Sequence, residues 1–176
     1  MGVAVEEIVD LSPDLLRAHR NDLMELLADA IENGASVGYL LPLRREDLHA
    51  YWEGIESDVR SGGRTVLAIL EDDRIVGSVQ LLECDKPNQP HRADVQKLLV
   101  HSRYRQRGAG AALMNALERR ARDRGRWLLV LDTRSASVAD DLYPKWGWQT
   151  VGQIPDYALD PDGTPAACTF YWKRLA

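Results

Sequence analysis

The segment from Asp94 to Arg126 constrains the fold of this chain more than any other segment. It begins with an apolar run, 95–100, whose β-branched and leucine content and short length predict a buried strand. A polar break follows, and Gly108 and Gly110 then lead into a helical pattern with a period of about 3.6 residues, which ends at Gly125. In a strand, glycine turn and helix in this order, the free N–H groups and the positive end of the helix face the carboxyl edge of the strand. The segment therefore predicts an anion site.

The rest of the chain alternates between helical and strand patterns. Ser12-Pro13 is typical of a helix start, and this first helix is predicted to run to about Glu32 with Leu15 on its buried side. A second helix is predicted for 45–61, with Trp52 in the core. A short helix is predicted for 135–145, with Val138 facing inward. Strands are predicted at Val3–Val9, Thr65–Leu70, Ile75–Leu82, Asp94–Val100, 127–131, Thr150–Ile154 and Ala167–Arg174, with turns at 71–74, 155–157 and 160–163.

Length, charge and cysteine content exclude several classes of protein. The 176 residues suit a single domain, 1–176, and the pattern of elements predicts an α/β fold with a mixed sheet. A net charge of −5 argues against nucleic acid as a partner. No apolar run approaches the roughly 18 residues of a membrane span, and the N-terminus lacks a signal-peptide pattern, so a cytoplasmic protein without membrane contact is expected. Cys84 and Cys168 fit no metal-ligand spacing, and no metal site is predicted.

The glycine turn differs from two common phosphate loops. A P-loop places Lys and Ser or Thr after its second glycine, and this turn has neither. A dinucleotide loop has a third glycine, where this chain has Leu113. The turn reads Arg105-Gln106-Arg107-Gly108-Ala109-Gly110, in which the glycines let the backbone approach a phosphate and the arginines can add charge-assisted bonds. We expect it to bind a pyrophosphate; the alternative is an ordinary helix start with solvated arginines.

This turn resembles the acetyl-CoA loop, R/Q-x-x-G-x-G/A, of the GCN5-related N-acetyltransferase (GNAT) superfamily. The segment Ala139–Trp148 is similar to that family's A-x-x-L-Y-x-x-x-G-[FW] motif. Similarity to the toxin-resistance acetyltransferases of the family extends over nearly the whole chain, including Asn33–Tyr39 and Arg92–Leu98. Ala136 departs from the pattern, because many members have an asparagine there that contacts the cofactor. The resemblance implies a mixed, mostly antiparallel sheet of about seven strands with helices on both faces.

The resemblance also implies acetyl-CoA as co-substrate. The strand before the turn is expected to pair along the pantetheine arm, and the backbone of the turn is expected to hold the pyrophosphate. The residues assigned to this site are Leu98, Leu99, Val100, Arg105, Gln106, Arg107, Gly108, Ala109, Gly110 and Ala111.

Direct attack of an amine on a thioester requires a neutral amine and a proton for the departing thiolate. Tyr143 is the predicted proton donor, because a phenol with a pKa of about 10 is protonated at neutral pH; a core tyrosine is the alternative. Asp132, at the end of a strand, is predicted to be a base or to hold the amine, unless it is only a turn residue. His91 and His101 are predicted to be surface or loop residues. The residues expected to shape the acceptor pocket are Ser36, Val37, Tyr39, Asp132 and Tyr157.

The predicted activity is acetyl transfer from acetyl-CoA to a primary amine of a small molecule, such as an amino-acid-like metabolite, a toxin or an antibiotic. Two alternatives stay open at this point. One is acetylation of protein lysines or N-termini, and the other is a sensor that binds acyl-CoA without catalysis. The chain is compatible with a monomer or a homodimer.

Overall fold

A computed structural model describes residues 7–176 of the chain. Residues 3–6 of the predicted first strand lie outside this range. The strands are Glu7–Asp10 (β1), Arg64–Glu71 (β2), Arg74–Glu83 (β3), Arg92–Val100 (β4), Leu128–Arg134 (β5), Gln149–Leu159 (β6) and Pro165–Arg174 (β7). The helices are Pro13–Ala18 (α1), Arg20–Glu32 (α2), Arg45–Arg60 (α3), Ala109–Asp123 (α4) and Val138–Leu142 (α5).

The strands form one seven-stranded sheet in the order β1-β2-β3-β4-β5-β7-β6. Neighbouring strands are antiparallel except for β4 and β5, which are parallel and are connected through α4. The predicted hairpin of β2 and β3 is confirmed, with Glu71 opposite Arg74. The predicted fold class, a mixed and mostly antiparallel sheet with helices on both faces, is also confirmed.

Two apolar clusters lie on opposite faces of the sheet, because successive strand residues point to opposite sides. On one face, Leu117 of α4 packs in a cluster with Leu81. On the other face, Leu27 of α2 and Trp52 of α3 pack in a cluster with Val66. Each of these five side chains is at most 1% exposed. The sheet is therefore fixed from both sides, and the edge at which β4 ends and α4 begins is held in place.

The parallel pair β4–β5 is short. Its register covers only Arg92–Asp94 against Leu128–Val130. Beyond this point β4 pairs with β3 alone, and its register shifts between Gln96 and Leu99, where Lys97 has a φ of 51°. Such a shift is a β-bulge, which bends a strand and re-aims its side chains. The carboxyl-terminal parts of β4 and β5 are thus left unpaired with each other, and an open seam separates them.

Some predicted details were wrong. The first helix is interrupted at His19 (φ −98°, ψ 20°), and Leu15 is 39% exposed because the short helix α1 has its own orientation. Val138 is 79% exposed, since α5 has only five residues and buries little of its surface. The predicted turn at 155–157 is an irregularity inside β6, with Asp156 at a φ of 52°. Within residues 7–176, no helix has the length and apolarity of a membrane span.

Candidate functional site

The start of α4 presents free backbone N–H groups at the end of β4. Gly108 precedes the helix in a left-handed conformation (φ 85°), and no side chain caps this end. The amide of Ala112 donates to the Gly108 carbonyl at 3.0 Å. The amides of residues 109–111 precede the first intrahelical bond and have no backbone partner among the described residues. A Cβ atom built at Gly108 would meet no atom within 4 Å, so the space beside Gly108 is open. The arrangement fits an anion such as a pyrophosphate.

The two arginines of the turn are engaged by the protein itself. Arg105 donates from Nε to the Val100 carbonyl at 3.0 Å, and its guanidinium lies 3.7 Å from Asp29. Arg107 donates to the Arg103 carbonyl at 3.2 Å. In this conformation both side chains stabilise the turn through these contacts. Their contact with a phosphate stays a prediction.

Asp29 of α2 also stabilises the turn, and no sequence pattern predicts this role. Its carboxylate accepts hydrogen bonds from the Ser102 amide at 2.8 Å and the Ser102 hydroxyl at 2.6 Å. The turn is thereby tied to the helix on the opposite face of the sheet.

The three predicted strand residues lie along the seam between β4 and β5. Leu99 is buried in the cluster beneath α2 and α3, whereas Leu98 and Val100 pack partly against the cluster beneath α4. On the β5 side, strand pairing of β4 ends at Asp94. An extended chain that carries amide groups can therefore lie along this edge as an added strand.

Tyr143 ends α5 and lies against three aromatic rings. The ring is 5% exposed, and its centroid lies 5.8 Å from that of Trp146, 5.9 Å from that of Trp148 and 5.5 Å from that of Tyr171. Within the described part of the chain, no residue forms a hydrogen bond with the Tyr143 hydroxyl. Burial raises the pKa of this phenol above its usual value, and the nearby Asp132 carboxylate raises it further. The hydroxyl therefore stays protonated and has a proton to donate.

Asp132 lies on β5, opposite Phe170 of β7. Its side chain reaches solvent, yet the protein atoms around it displace enough water to raise the pKa of the carboxyl, while Lys97 opposes that rise. Tyr143 packs against Tyr171 of β7, and β7 is the strand that pairs with β5 beside Asp132. The catalytic roles of both residues stay a prediction.

Sequence reasoning missed Lys97 and the polar network beside it. Arg64 donates to Gln80 at 2.7 Å and to Gln96 at 2.9 Å, and Gln80 donates to the Tyr51 hydroxyl at 2.9 Å. The ammonium of Lys97 lies 5.8 Å from the centroid of the Tyr51 ring. The available signal was a charged residue inside the apolar run 95–100.

Apart from Asp132 on β5, the predicted acceptor residues lie on two segments that meet. Ser36 donates from its hydroxyl to the Leu159 carbonyl at 3.0 Å, and the Leu41 amide donates to the Pro161 carbonyl at 2.8 Å. The segment 36–41 is therefore fixed against the hairpin of β6 and β7.

The aromatic members of this set have different surroundings. Tyr39 packs edge-on against Tyr51, with 6.1 Å between ring centroids, and Val37 packs beside it on the cluster beneath α2 and α3. Tyr157 is 50% exposed and packs edge-on against Phe170, the neighbour of Asp132 across the sheet. The structure thus brings Tyr39 toward Lys97 and Tyr157 toward Asp132.

Three further positions have other contacts. His91 stacks on Trp127 with 4.3 Å between ring centroids. His101 accepts a hydrogen bond from the Arg103 amide at 3.3 Å, beside the turn. Ala136 has a φ of 60° and donates its amide to Asp140 at 2.8 Å. Neither histidine contacts Asp132 or Tyr143.

Comparison with known proteins yields one family. The model of the acetyltransferase (GNAT) family matches residues 20–148. The chain is 28% identical over 154 residues to an N-acetyltransferase encoded in the hisH-hisA intergenic region of Azospirillum brasilense, and the match covers 79% of this chain and 90% of the relative.

Two solved structures share the fold over nearly their whole length. One is a ribosomal-protein-alanine N-acetyltransferase from Brucella melitensis, with a TM-score of 0.78, 22% identity, and coverage of 96% of this chain and 99% of that one. The other, from Salmonella typhimurium, is described as an acetyltransferase with its cofactor acetyl-CoA. It has a TM-score of 0.78, 18% identity, and coverage of 98% of this chain and 95% of that one. At these identities the likeness establishes the fold alone.

Proposed function

The chain belongs to the acetyltransferase (GNAT) family, and from this premise we propose that it moves the acetyl group of acetyl-CoA to a primary amine of a small molecule. One observation carries the proposal. The free amides that open α4 and the seam between β4 and β5 lie at the carboxyl end of β4, and Asp132 lies near the carboxyl end of β5. Tyr143 packs against Tyr171 of β7, the strand that pairs with β5. Donor, acceptor and proton-transfer groups can therefore meet there.

The donor half of the site follows from backbone geometry. The amides from Arg105 to Ala111 would hold the pyrophosphate, and the free edge of β4 from Leu98 to Val100 would pair with the amide-containing arm. When bound, acetyl-CoA supplies a thioester carbonyl that an amine can attack. A solved neighbour that contains acetyl-CoA on the same fold supports this assignment.

Two side chains would manage the protons of this reaction. A carbon–nitrogen bond forms and the carbon–sulfur bond breaks, so the amine must lose one proton and the sulfur must gain one. Asp132 would take the proton from the amine, and the Tyr143 hydroxyl would give one to the sulfur. The raised pKa of Tyr143 keeps the phenol protonated at neutral pH, so that its hydroxyl can stabilise the negative charge that develops on the sulfur. A phenolate left by proton transfer would regain its proton from the protonated Asp132 or from solvent.

The acceptor is proposed to be a small amine such as an amino-acid-like metabolite, a toxin or an antibiotic. Segment 36–41 and the hairpin of β6 and β7 meet across Ser36 and Leu159 and would together form one wall of the acceptor space. A carboxylate in that space favours a cationic amine. We also propose that the enzyme is similar to toxin-resistance acetyltransferases and that it is located in the cytoplasm.

Mass spectrometry of the purified protein for bound CoA, followed by a thiol-release assay with a panel of amines, tests the proposal. The panel includes small amines, lysine peptides and peptides with a free N-terminal alanine, because a neighbour of the same fold is named for that last substrate. We expect CoA to be bound and small amines to be acetylated. Acetylated peptides without any small-molecule product would select the protein-directed alternative, and bound CoA without turnover would select the sensor.

A further inference from the structure

We infer that the acceptor carries an acidic group next to its amine, and that Lys97 binds this acidic group while Asp132 holds the amine. The inference rests on the proposed function and narrows its substrate class to zwitterionic molecules such as free amino acids. It assigns a specificity role to Lys97.

The bulge of β4 aims Lys97 into the acceptor space. Its φ of 51° lies where a non-glycine residue is uncommon, at the register shift between Gln96 and Leu99. A Cβ atom built at Gly38 would lie 3.9 Å from the Lys97 ammonium, and the Tyr51 ring lies on another side. Lys97 therefore lies between the acceptor segment 36–41 and α3.

The Lys97 ammonium has no ionic partner in the protein. Across residues 7–176, no carboxylate lies within 4.0 Å of it and no group accepts a hydrogen bond from it. Two other poorly exposed cations are paired. Arg64 donates to Asp58 at 3.0 Å, and Lys173 donates to Glu118 at 2.7 Å. Partial burial of an ammonium whose three N–H donors have no acceptor costs free energy. Binding of an anion at the ammonium would offset that cost.

Lys97 and Asp132 form a spaced pair of opposite charges. Each affects the pKa of the other: Asp132 opposes the fall that burial causes at Lys97, and Lys97 opposes the rise that burial causes at Asp132. Yet the two are too far apart for an ion pair. A small molecule with both an amine and an acidic group can fit between them and pair with both charges. Arg64 is the other cation near Lys97, and its bonds to Asp58, Gln80 and Gln96 leave Lys97 as the free one.

A substrate-and-variant cycle tests the inference. Free α-amino acids and their α-carboxamides are compared as acceptors, with kcat/KM from thiol release and with equilibrium binding to the CoA-loaded protein. The wild-type enzyme is expected to prefer the acids by roughly 10- to 100-fold, the effect of one charge-assisted bond. Lys97→Met should abolish this preference by lowering kcat/KM for the acids while it changes kcat/KM for the amides less than about twofold.

Two further variants complete the experiment. Lys86→Met removes an exposed lysine from the loop between β3 and β4 and should leave the preference unchanged. Lys97→Arg keeps the charge and should retain part of the preference for acids. Thermal melts verify folding, and Lys97→Met should melt no lower than the wild type because it removes a desolvated charge.

Each remaining outcome has a definite meaning. Equal use of acids and amides by the wild type overturns the inference and leaves the acetyltransferase proposal intact. An equal loss for acids and amides in Lys97→Met also overturns it, because Lys97 would then act in the chemistry. Tighter binding of acids without turnover of any amine would support the inference and overturn the proposed function.

Discussion

At the scale of single residues, the site combines a buried phenol with a solvent-reaching carboxylate. Tyr143 is surrounded by aromatic rings, whereas Asp132 faces the seam between β4 and β5. Burial raises the pKa of both groups and so favours the protonated form of each, while Lys97 opposes that rise at Asp132. The phenol is therefore protonated at neutral pH and can donate, whereas Asp132 can accept a proton only in its ionised form.

Removal of the Tyr143 hydroxyl should affect catalysis far more than folding. Tyr143→Phe is expected to lower kcat about 100-fold, the size of effect typical of a general acid, with little change in the affinity for acetyl-CoA. The melting temperature should barely change, because the hydroxyl has no hydrogen-bond partner among the described residues. Steady-state kinetics and thermal melts measure both quantities. An unchanged kcat across the pH range would contradict the proton-donor role.

The ionisation of Asp132 should set the acid limb of the pH profile. Its carboxyl group accepts a proton only when ionised, so kcat/KM should rise with pH through a pKa that lies above the usual value for aspartate. Lys97 favours the ionised form, so Lys97→Met should move this limb to higher pH and leave the plateau above the limb unchanged. The profiles are measured with carboxamide acceptors whose amines share one pKa, so that a shift of the acid limb reports on Asp132 and not on the acceptor. An acid limb that persists unchanged in Asp132→Asn would show that another group is titrating.

At the scale of elements, the donor site depends on how α4 starts. Gly108 adopts a φ of 85°, a conformation that disfavours residues with a β-carbon by about 1–2 kcal/mol and β-branched residues by more. Relief of that strain would rotate the peptide groups that lead into the helix. The free amides are therefore correctly placed only while a glycine holds position 108.

Gly108→Val is expected to weaken acetyl-CoA binding at least tenfold, because it displaces these amides, as measured by calorimetry. Gly62→Val is a matched control. Gly62 also has a positive φ, 81°, with no atom within 4 Å of an added Cβ, and it follows α3 rather than preceding α4. The two variants should lose similar stability, and only Gly108→Val should lose affinity. Equal affinities would place the pyrophosphate elsewhere.

Local sequence signals predicted β4, its glycine turn and α4, because a glycine pair, an apolar run and a helical period all depend on neighbouring residues. The break at His19 was not predictable in this way. No proline or glycine marks it, and α1 and α2 are separated by how each packs on α3. The bulge at Lys97 depends on pairing with β3, which the strand's own sequence does not encode. Lys97, to which we assign the acceptor specificity, was therefore the residue of this site that sequence patterns indicated least.

At the scale of the whole molecule, the proposed acetyl-CoA site and the proposed acceptor site are built largely from different parts of the chain. The proposed donor contacts lie on β4 and the start of α4, which follow each other in the chain. The proposed acceptor walls come from segment 36–41 and from the hairpin of β6 and β7, which flank that unit in sequence. β5, with Asp132, pairs with β4 on one side and with β7 on the other. The free amides at the start of α4 can therefore stay constant among relatives whose segments equivalent to 36–41 and to the β6–β7 hairpin differ in shape.

The bonds from Ser36 to Leu159 and from Leu41 to Pro161 have a consequence for the history of this enzyme. Each bond ends on a backbone carbonyl of the hairpin, and the bond from Leu41 also starts from a backbone amide, so side chains other than the Ser36 hydroxyl can be exchanged without breaking either bond. A change in the length or path of one segment, however, moves the other, although the two are separated by more than a hundred positions. Evolution toward a new substrate should therefore begin with side-chain substitutions. An insertion in one of these two segments should be accompanied by a change of length in the other.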